Sequence, residues 1–109
     1  MTVVAGAADL APGEAGAYVV DGIPIVLVCD EDGAFHALDE MCTHGDISLA
    51  DGEVYDCSIE CWKHGSRFDL LTGRPLSLPA TRPVNVYPVT TRGEQVLVDT
   101  TAPVPANQK

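Results

Sequence analysis

Two short groups, CTH at 42–44 and CWKH at 61–64, each set one cysteine close to one histidine, and sixteen residues separate them. Thiolate and imidazole are the side chains that bind soft and borderline metals. A chain of 109 residues carrying two such pairs must bring two loops together around one centre. The remaining residues then serve as the scaffold that holds those loops. A set of two Cys and two His first suggests structural zinc. Zinc folds commonly draw two ligands from a hairpin turn and two from a helix. Here each group supplies one of each type, which suits a centre with two unlike halves, one held by thiolates and the other by imidazoles. Cys42, His44, Cys61 and His64 are therefore the candidate ligands.

The scaffold reads as strands. Eight Pro, ten Gly and thirteen Val point to many short strands joined by tight turns. Asp21-Gly22 lies between the runs AYVV and IPIVLV, a strong hairpin signal. DEDG at 30–33 turns the chain into a third strand, AFHAL. Further on, RPVNVYPV, a turn at TRGE and QVLVD predict another hairpin. ISLA at 47–50 is long enough for one helical turn only. The expected fold is all-β, a small antiparallel sandwich or barrel with an inserted metal-binding lobe from Met41 to about Asp69. One domain spans 1–109, without internal repeat or linker, and the Pro-rich tail at about 100–109 is expected to be mobile. LTGRP at 71–75 reads as an ordinary turn. His36 in AFHAL is expected to be a sheet residue and Cys29 a core thiol. Cys57 is expected to be structural, because its flank YDCSIEC alternates like a strand.

The charge is uneven. Residues 1–62 hold thirteen Asp or Glu and no Lys or Arg, while 63–109 hold six basic and three acidic residues. A net charge of −10 repels phosphate, so nucleic acid is excluded as a partner, and an acidic surface suits steering toward basic patches on proteins. No apolar run approaches the roughly 18 residues of a membrane span. The first residues carry no basic n-region, so no secretion signal is expected and the cysteines are expected to be reduced. The expected location is the cytoplasm.

CTHG at 42–45 and CWKHGSRFD at 61–69 resemble the signature of the Rieske [2Fe-2S] family, C-x-H, a spacer of this length, then C-x2-H. The resemblance implies one [2Fe-2S] cluster per chain, with Cys42 and Cys61 on one iron and His44 and His64 on the other. It also implies that Gly45 and Gly65 permit turns that aim amides at the cluster, that Ser66 hydrogen-bonds it, and that a proline loop at about 77–81, centred on Pro79, shields it. Rieske clusters as a class lie at about −150 to +300 mV, above all-cysteine clusters, because neutral imidazoles replace two anionic ligands. High-potential members add a loop-to-loop disulfide and a tyrosine hydroxyl. Here the corresponding positions read His44-Gly45-Asp46, Lys63-His64 and Phe68, and Asp46 and Glu60 add negative charge. The resemblance thus implies a low-potential ferredoxin. Trp62 stands where many members have proline, and it is expected to pack near the cluster.

What is missing narrows the role. An oxygenase active site needs two further His and a carboxylate on a mononuclear iron, and only His36 remains. The chain offers no nucleophile-base pair and no phosphate loop. The resemblance therefore implies an electron carrier, not an enzyme, taking electrons from a flavin-dependent NAD(P)H reductase to a terminal Rieske oxygenase of aromatic-ring catabolism. A ferredoxin for iron-sulfur assembly, a nitrite reductase small subunit, a redox sensor and a zinc-stabilised interaction module remain open alternatives.

Overall fold

A computed structural model describes residues 2–41, 48–61, 66–76 and 84–101. The expectations placed on Cys42, His44, Gly45, Asp46, Trp62, Lys63, His64, Gly65, Pro79 and residues 102–109 lie outside the described residues. Ten strands are described: β1 (Thr2–Gly6), β2 (Ala15–Val20), β3 (Ile23–Cys29), β4 (Phe35–Asp39), β5 (Glu53–Tyr55), β6 (Ser58–Glu60), β7 (Arg67–Asp69), β8 (Val86–Tyr87), β9 (Val89–Arg92) and β10 (Gln95–Val98). They form three antiparallel sheets, β1-β10-β9, β2-β3-β4-β8 and β5-β6-β7. A single 3-10 turn, Leu49–Asp51, is the helical element among the described residues, and Ser48 caps it by accepting from the Ala50 amide at 3.2 Å.

The β2–β3 hairpin follows from its turn. Asp21 and Gly22 both have positive φ, 54° and 81°, as a two-residue type I′ connection requires. Val20 then pairs with Ile23, and Ala15 with Val28. β3 is the strand on which the two cores meet. Val26 and Val28 pack with Leu38, Leu49, Ile59, Cys61, Phe68, Leu70 and Val84. Ile25 and Leu27 point the other way, into a cluster with Ala5, Val20, Ala37, Tyr87, Val96 and Val98. Alternate residues of a strand face opposite sides, so an uninterrupted IVLV run is what a strand buried on both faces needs.

Two features depart from the sequence expectations. Thr2–Gly6 forms β1, which pairs with β10 and was not anticipated. RPVNVYPV does not form one hairpin strand. Its residues 86–87 pair with β4, whereas β9 begins at Val89 and pairs with β10 in a different sheet. Pro88 sits at the switch. It has no amide to donate to a ladder, and its carbonyl accepts from the Asp99 amide at 3.0 Å.

The β4–β8 pairing is reinforced by side chains. Tyr87 Oη donates to Asp39 Oδ1 at 2.6 Å, and the Asn85 amide donates to Asp39 Oδ2 at 2.9 Å. Burial first, and then the Asp39 carboxylate, push the Tyr87 hydroxyl well above the ordinary tyrosine range. A raised folded value makes this contribution complete below about pH 10, the ordinary tyrosine value, and lost as pH climbs toward the folded one. Tyr87→Phe should therefore cost about 2 kcal/mol at pH 7, the worth of a hydrogen bond to a charged group. In urea titrations the gap from wild type should narrow above pH 10. Equal midpoints at pH 7 would remove this bond from the account.

Candidate metal centre

Of the four expected ligands, Cys61 is described. It directly follows β6, is fully buried, and its amide donates to the Ser66 carbonyl at 2.6 Å. The β6–β7 register places Ile59 opposite Phe68 and Glu60 opposite Arg67, so Cys61 faces Ser66 at the loop end of the hairpin. Side chains two apart share a face, and Ile59, Cys61, Ser66 and Phe68 are all fully buried. The flanks of segment 42–47 are likewise paired. Met41 bridges Ser48, and the Leu49 amide donates to the Glu40 carbonyl at 2.7 Å. Ser48 Oγ donates to Glu40 Oε2 at 2.7 Å, so serine and glutamate clamp the base of the segment.

The third flank reaches the same core by another route. Val84, the first described residue after 77–83, packs with Cys61, Leu49, Phe68 and Leu70. Its amide donates to the Gly73 carbonyl at 2.9 Å. The turn that carries Gly73 is capped by Asp69, whose Oδ1 accepts from the amides of Leu71 (2.7 Å) and Thr72 (3.3 Å). The ordinary turn expected at 71–75 is thus the seat of the returning chain. Leu49, Cys61 and Val84, one beside each of the three segments 42–47, 62–65 and 77–83, belong to one apolar cluster.

A two-Cys, two-His cluster fits what is described here. Cys61 offers an unpaired thiol inside an apolar core, where a thiolate is costly unless a metal shares its charge. The backbone hydrogen bond from Cys61 to Ser66 joins the two described residues that flank segment 62–65. Acidic residues stand close in sequence, and Glu60 is tied down by the Tyr55 hydroxyl at 2.9 Å. Arg67 lies over the Tyr55 ring, 4.6 Å from its centroid, and donates to Ser58 Oγ through Nε (3.2 Å) and Nη2 (3.0 Å). These contacts brace the β5–β6–β7 sheet beneath the centre.

Elsewhere, Cys29 is buried as expected and His36 lies on β4. His36 is not a plain sheet residue, however: its Nε2 lies 2.7 Å from Asp30 Oδ2. Asp30 Oδ1 accepts from the amides of Asp32 and Ala34, both at 2.9 Å. Burial disfavours the Asp30 charge, but the hydrogen bonds from His36 and the two amides outweigh it and hold the carboxyl below its usual range. Cys57 corrects the sequence reading. It is not a strand residue but the second residue of a tight β5–β6 turn, where Asp56 and Cys57 have φ of 52° and 54°. A period-2 pattern across a two-residue turn conceals the turn, because Tyr55 and Ser58 keep the alternation on each side. The Asp30 turn, by contrast, was legible as an Asp followed by amides that its side chain can reach.

Comparison with known proteins gives four findings. Residues 1–88 match the family described as the Rieske [2Fe-2S] domain. The chain is 37% identical over 93 residues to the ferredoxin subunit of 3-phenylpropionate/cinnamic acid dioxygenase of Shigella boydii, covering 84% of this chain and 86% of that one. Among solved structures it is similar to the ferredoxin of carbazole 1,9a-dioxygenase from Nocardioides aromaticivorans, with 36% identity, a TM-score of 0.84, and coverage of 89% and 94% of the two chains. A ferredoxin-length chain in a complex of reduced oxygenase and oxidized ferredoxin of carbazole 1,9a-dioxygenase matches at 34% identity and a TM-score of 0.80, covering 89% of this chain and 99% of that one.

The seat of Val84 can be tested directly. Gly73 has φ +75°, and a Cβ there would lie 2.1 Å from the Val84 carbonyl oxygen. Gly73→Ala should cost at least about 2 kcal/mol, the left-handed penalty plus the displaced contact. It should also loosen iron, read as faster bleaching of the visible bands in a chelator. Unchanged stability would show that the turn does not seat the returning chain.

Proposed function

The chain belongs to the Rieske [2Fe-2S] domain family, and from that premise we propose that it carries single electrons from a flavin-dependent reductase to a terminal Rieske oxygenase acting on an aromatic substrate. The observation that carries this reading is the 37% identity, over 84% of this chain, to a dioxygenase ferredoxin subunit. The likeness to a ferredoxin found in complex with an oxygenase supports the choice of acceptor. The cofactor is a [2Fe-2S] cluster. We assign Cys42 and Cys61 to one iron and His44 and His64 to the other, with Gly45, Gly65, Ser66 and Pro79 supporting or shielding the group. Bound there, the cluster supplies a site that accepts and returns one electron without bond making in the protein.

The chain's own residues set the conditions for that exchange. The core around Cys61, built by Leu49, Ile59, Phe68, Leu70 and Val84, keeps water from the thiolate side. The described flanks of the ligand-bearing segments are paired, Met41 with Ser48 and Cys61 with Ser66, and fixed flanks favour a centre that changes little in geometry between redox states. Phe68 is fully buried and brings no hydroxyl, so the side chain two residues past Ser66 stabilises no added negative charge. Glu60 and the surrounding acidic half oppose an added electron. Together these favour a low potential within the class. The acidic half also gives the carrier a charge that basic patches on a reductase and an oxygenase can attract. Three described cysteines remain free, which suits a reducing cytoplasm. Among the described residues no helix is long and apolar enough to cross a membrane.

Two measurements test the reading. Protein purified without air should contain two irons and two sulfides per chain if one cluster is bound. It should be reduced by a flavin reductase and reoxidised by a Rieske oxygenase in stopped flow. One zinc and no sulfide would leave a zinc-stapled binding module instead. His64→Cys should retain cluster and lower the potential by on the order of 100 mV, since an anionic ligand replaces a neutral one. An unmoved potential would remove His64 from the ligand set. Ser66→Ala should lower the potential by about 40 mV, a net hydrogen bond of about 1 kcal/mol expressed for one electron.

A further inference from the structure

The far end of β6 holds a second group of metal-ligating side chains. Ligand atoms of Asp30, His36 and Cys57 all lie within 4.8 Å of one another. They come from three separate places: the turn after β3, the strand β4 and the β5–β6 turn. Cys57 and Cys61 flank β6 at opposite ends, about 13 Å apart at strand rise, so this group is separate from the Rieske ligands. Asp30 is buried and the side chains of Asp30 and His36 are only 10% and 12% exposed. Cys57 is half-buried and unpaired.

We propose that Asp30, His36 and Cys57 form a second metal site, which binds one zinc-type divalent cation through carboxylate, imidazole and thiolate and leaves a fourth position to water. The donor set decides the cation class. Oxygen, nitrogen and sulfur together suit zinc, while magnesium and calcium take oxygen alone. The geometry is close to what zinc needs. Ligand atoms about a tetrahedral zinc stand roughly 3.3–3.5 Å apart. The Asp30–His36 contact, now 2.7 Å, opens by less than an ångström when a cation replaces the shared proton. Asp30 is already aimed, because the Asp32 and Ala34 amides hold Oδ1 and leave Oδ2 toward His36.

The surroundings favour a cation as well. Burial first, and then the carboxylates of Asp69, Asp30 and Asp32, push the Cys57 thiol up. That field rules against a free thiolate nucleophile, and it attracts a dication, which reverses the local preference. On binding, the Cys57 S–H bond breaks and its proton leaves to solvent, His36 carries its ring proton on Nδ1 so that Nε2 is free to bind, and a Zn–S bond forms without any change of oxidation state. The two turns are held together independently of the cation. Glu31 Oε1 accepts from the Asp56 amide at 3.2 Å. The site would therefore staple the lobe sheet β5-β6-β7 to the central sheet β2-β3-β4-β8. This inference does not rest on the proposed electron-transfer partners.

The experiment uses cluster-loaded protein, freed of loose metal with EDTA and dialysed against zinc chloride. Iron and zinc are counted before and after, and the zinc K-edge is recorded, which does not sense iron. The expected result is one added zinc per chain with iron unchanged, one sulfur neighbour near about 2.3 Å and the rest nitrogen or oxygen near about 2.0–2.1 Å. Cys57→Ser and His36→Gln should each weaken zinc binding at least tenfold, with the visible circular dichroism of the cluster retained. Zinc that enters as iron leaves, zinc with two sulfur neighbours, or no zinc retained would each overturn the proposal. The wild-type spectrum decides between these outcomes even if a variant fails to fold.

Discussion

Burial of β3 on both faces is the constraint from which the rest of the architecture follows. Ile25, Val26, Leu27 and Val28 are all fully buried. Removing four such side chains from water contributes roughly 6–12 kcal/mol, which is comparable to the whole stability of a small domain. To bury both faces, the strand must have a layer on each side. The β1-β10-β9 sheet supplies one through Val96, Val98 and Ala5, and the lobe supplies the other through Leu49, Ile59, Phe68 and Leu70. The lobe is thus half of the core and not an appendage. A chain that failed to dock it would leave Val26 and Val28 exposed.

That dependence links folding to function. The side chains that cover the lobe side of β3 are the neighbours of Cys61 and of the flanks of the other two segments. For Cys61 and the described flanks, the packing that covers β3 also fixes position. Polar clamps then fix directions that packing alone leaves free: Ser48 on Glu40, Asp69 on its turn, Tyr87 on Asp39 and Asp30 on its own turn. Each uses a carboxylate or hydroxyl to satisfy amides or hydroxyls that would otherwise be stranded at a strand end. Many of the thirteen acidic residues in the first 62 are therefore structural acceptors as well as surface charge.

Much of this was legible in the residues because the signals were local. Asp21-Gly22 demands positive φ at both positions, and only a tight hairpin provides it. The IVLV run lacks polar alternation, so it reads as an interior strand. The spacing of Cys42, His44, Cys61 and His64 restricts the centre to a metal or cluster and names the family. Sequence reasoning went wrong where meaning depended on a partner far along the chain. Thr2–Gly6 has no strong pattern of its own and becomes a strand by pairing with Gln95–Val98. RPVNVYPV looks continuous, yet the missing amide of Pro88 and two different neighbours split it between sheets.

What the amino-acid sequence determined by itself was the family and the all-β class, because residue type and spacing alone limit which motifs and turns exist. What the tertiary structure decided was proximity. Asp30, His36 and Cys57 are up to 27 positions apart in sequence and carry no motif, yet their ligand atoms fall within 4.8 Å. Gly73 reads as one turn glycine among ten until Val84 returns against it. Such contacts come from how two-sided burial of β3 stacks the layers, and distance across layers is a property of packing that no run of neighbouring residues encodes.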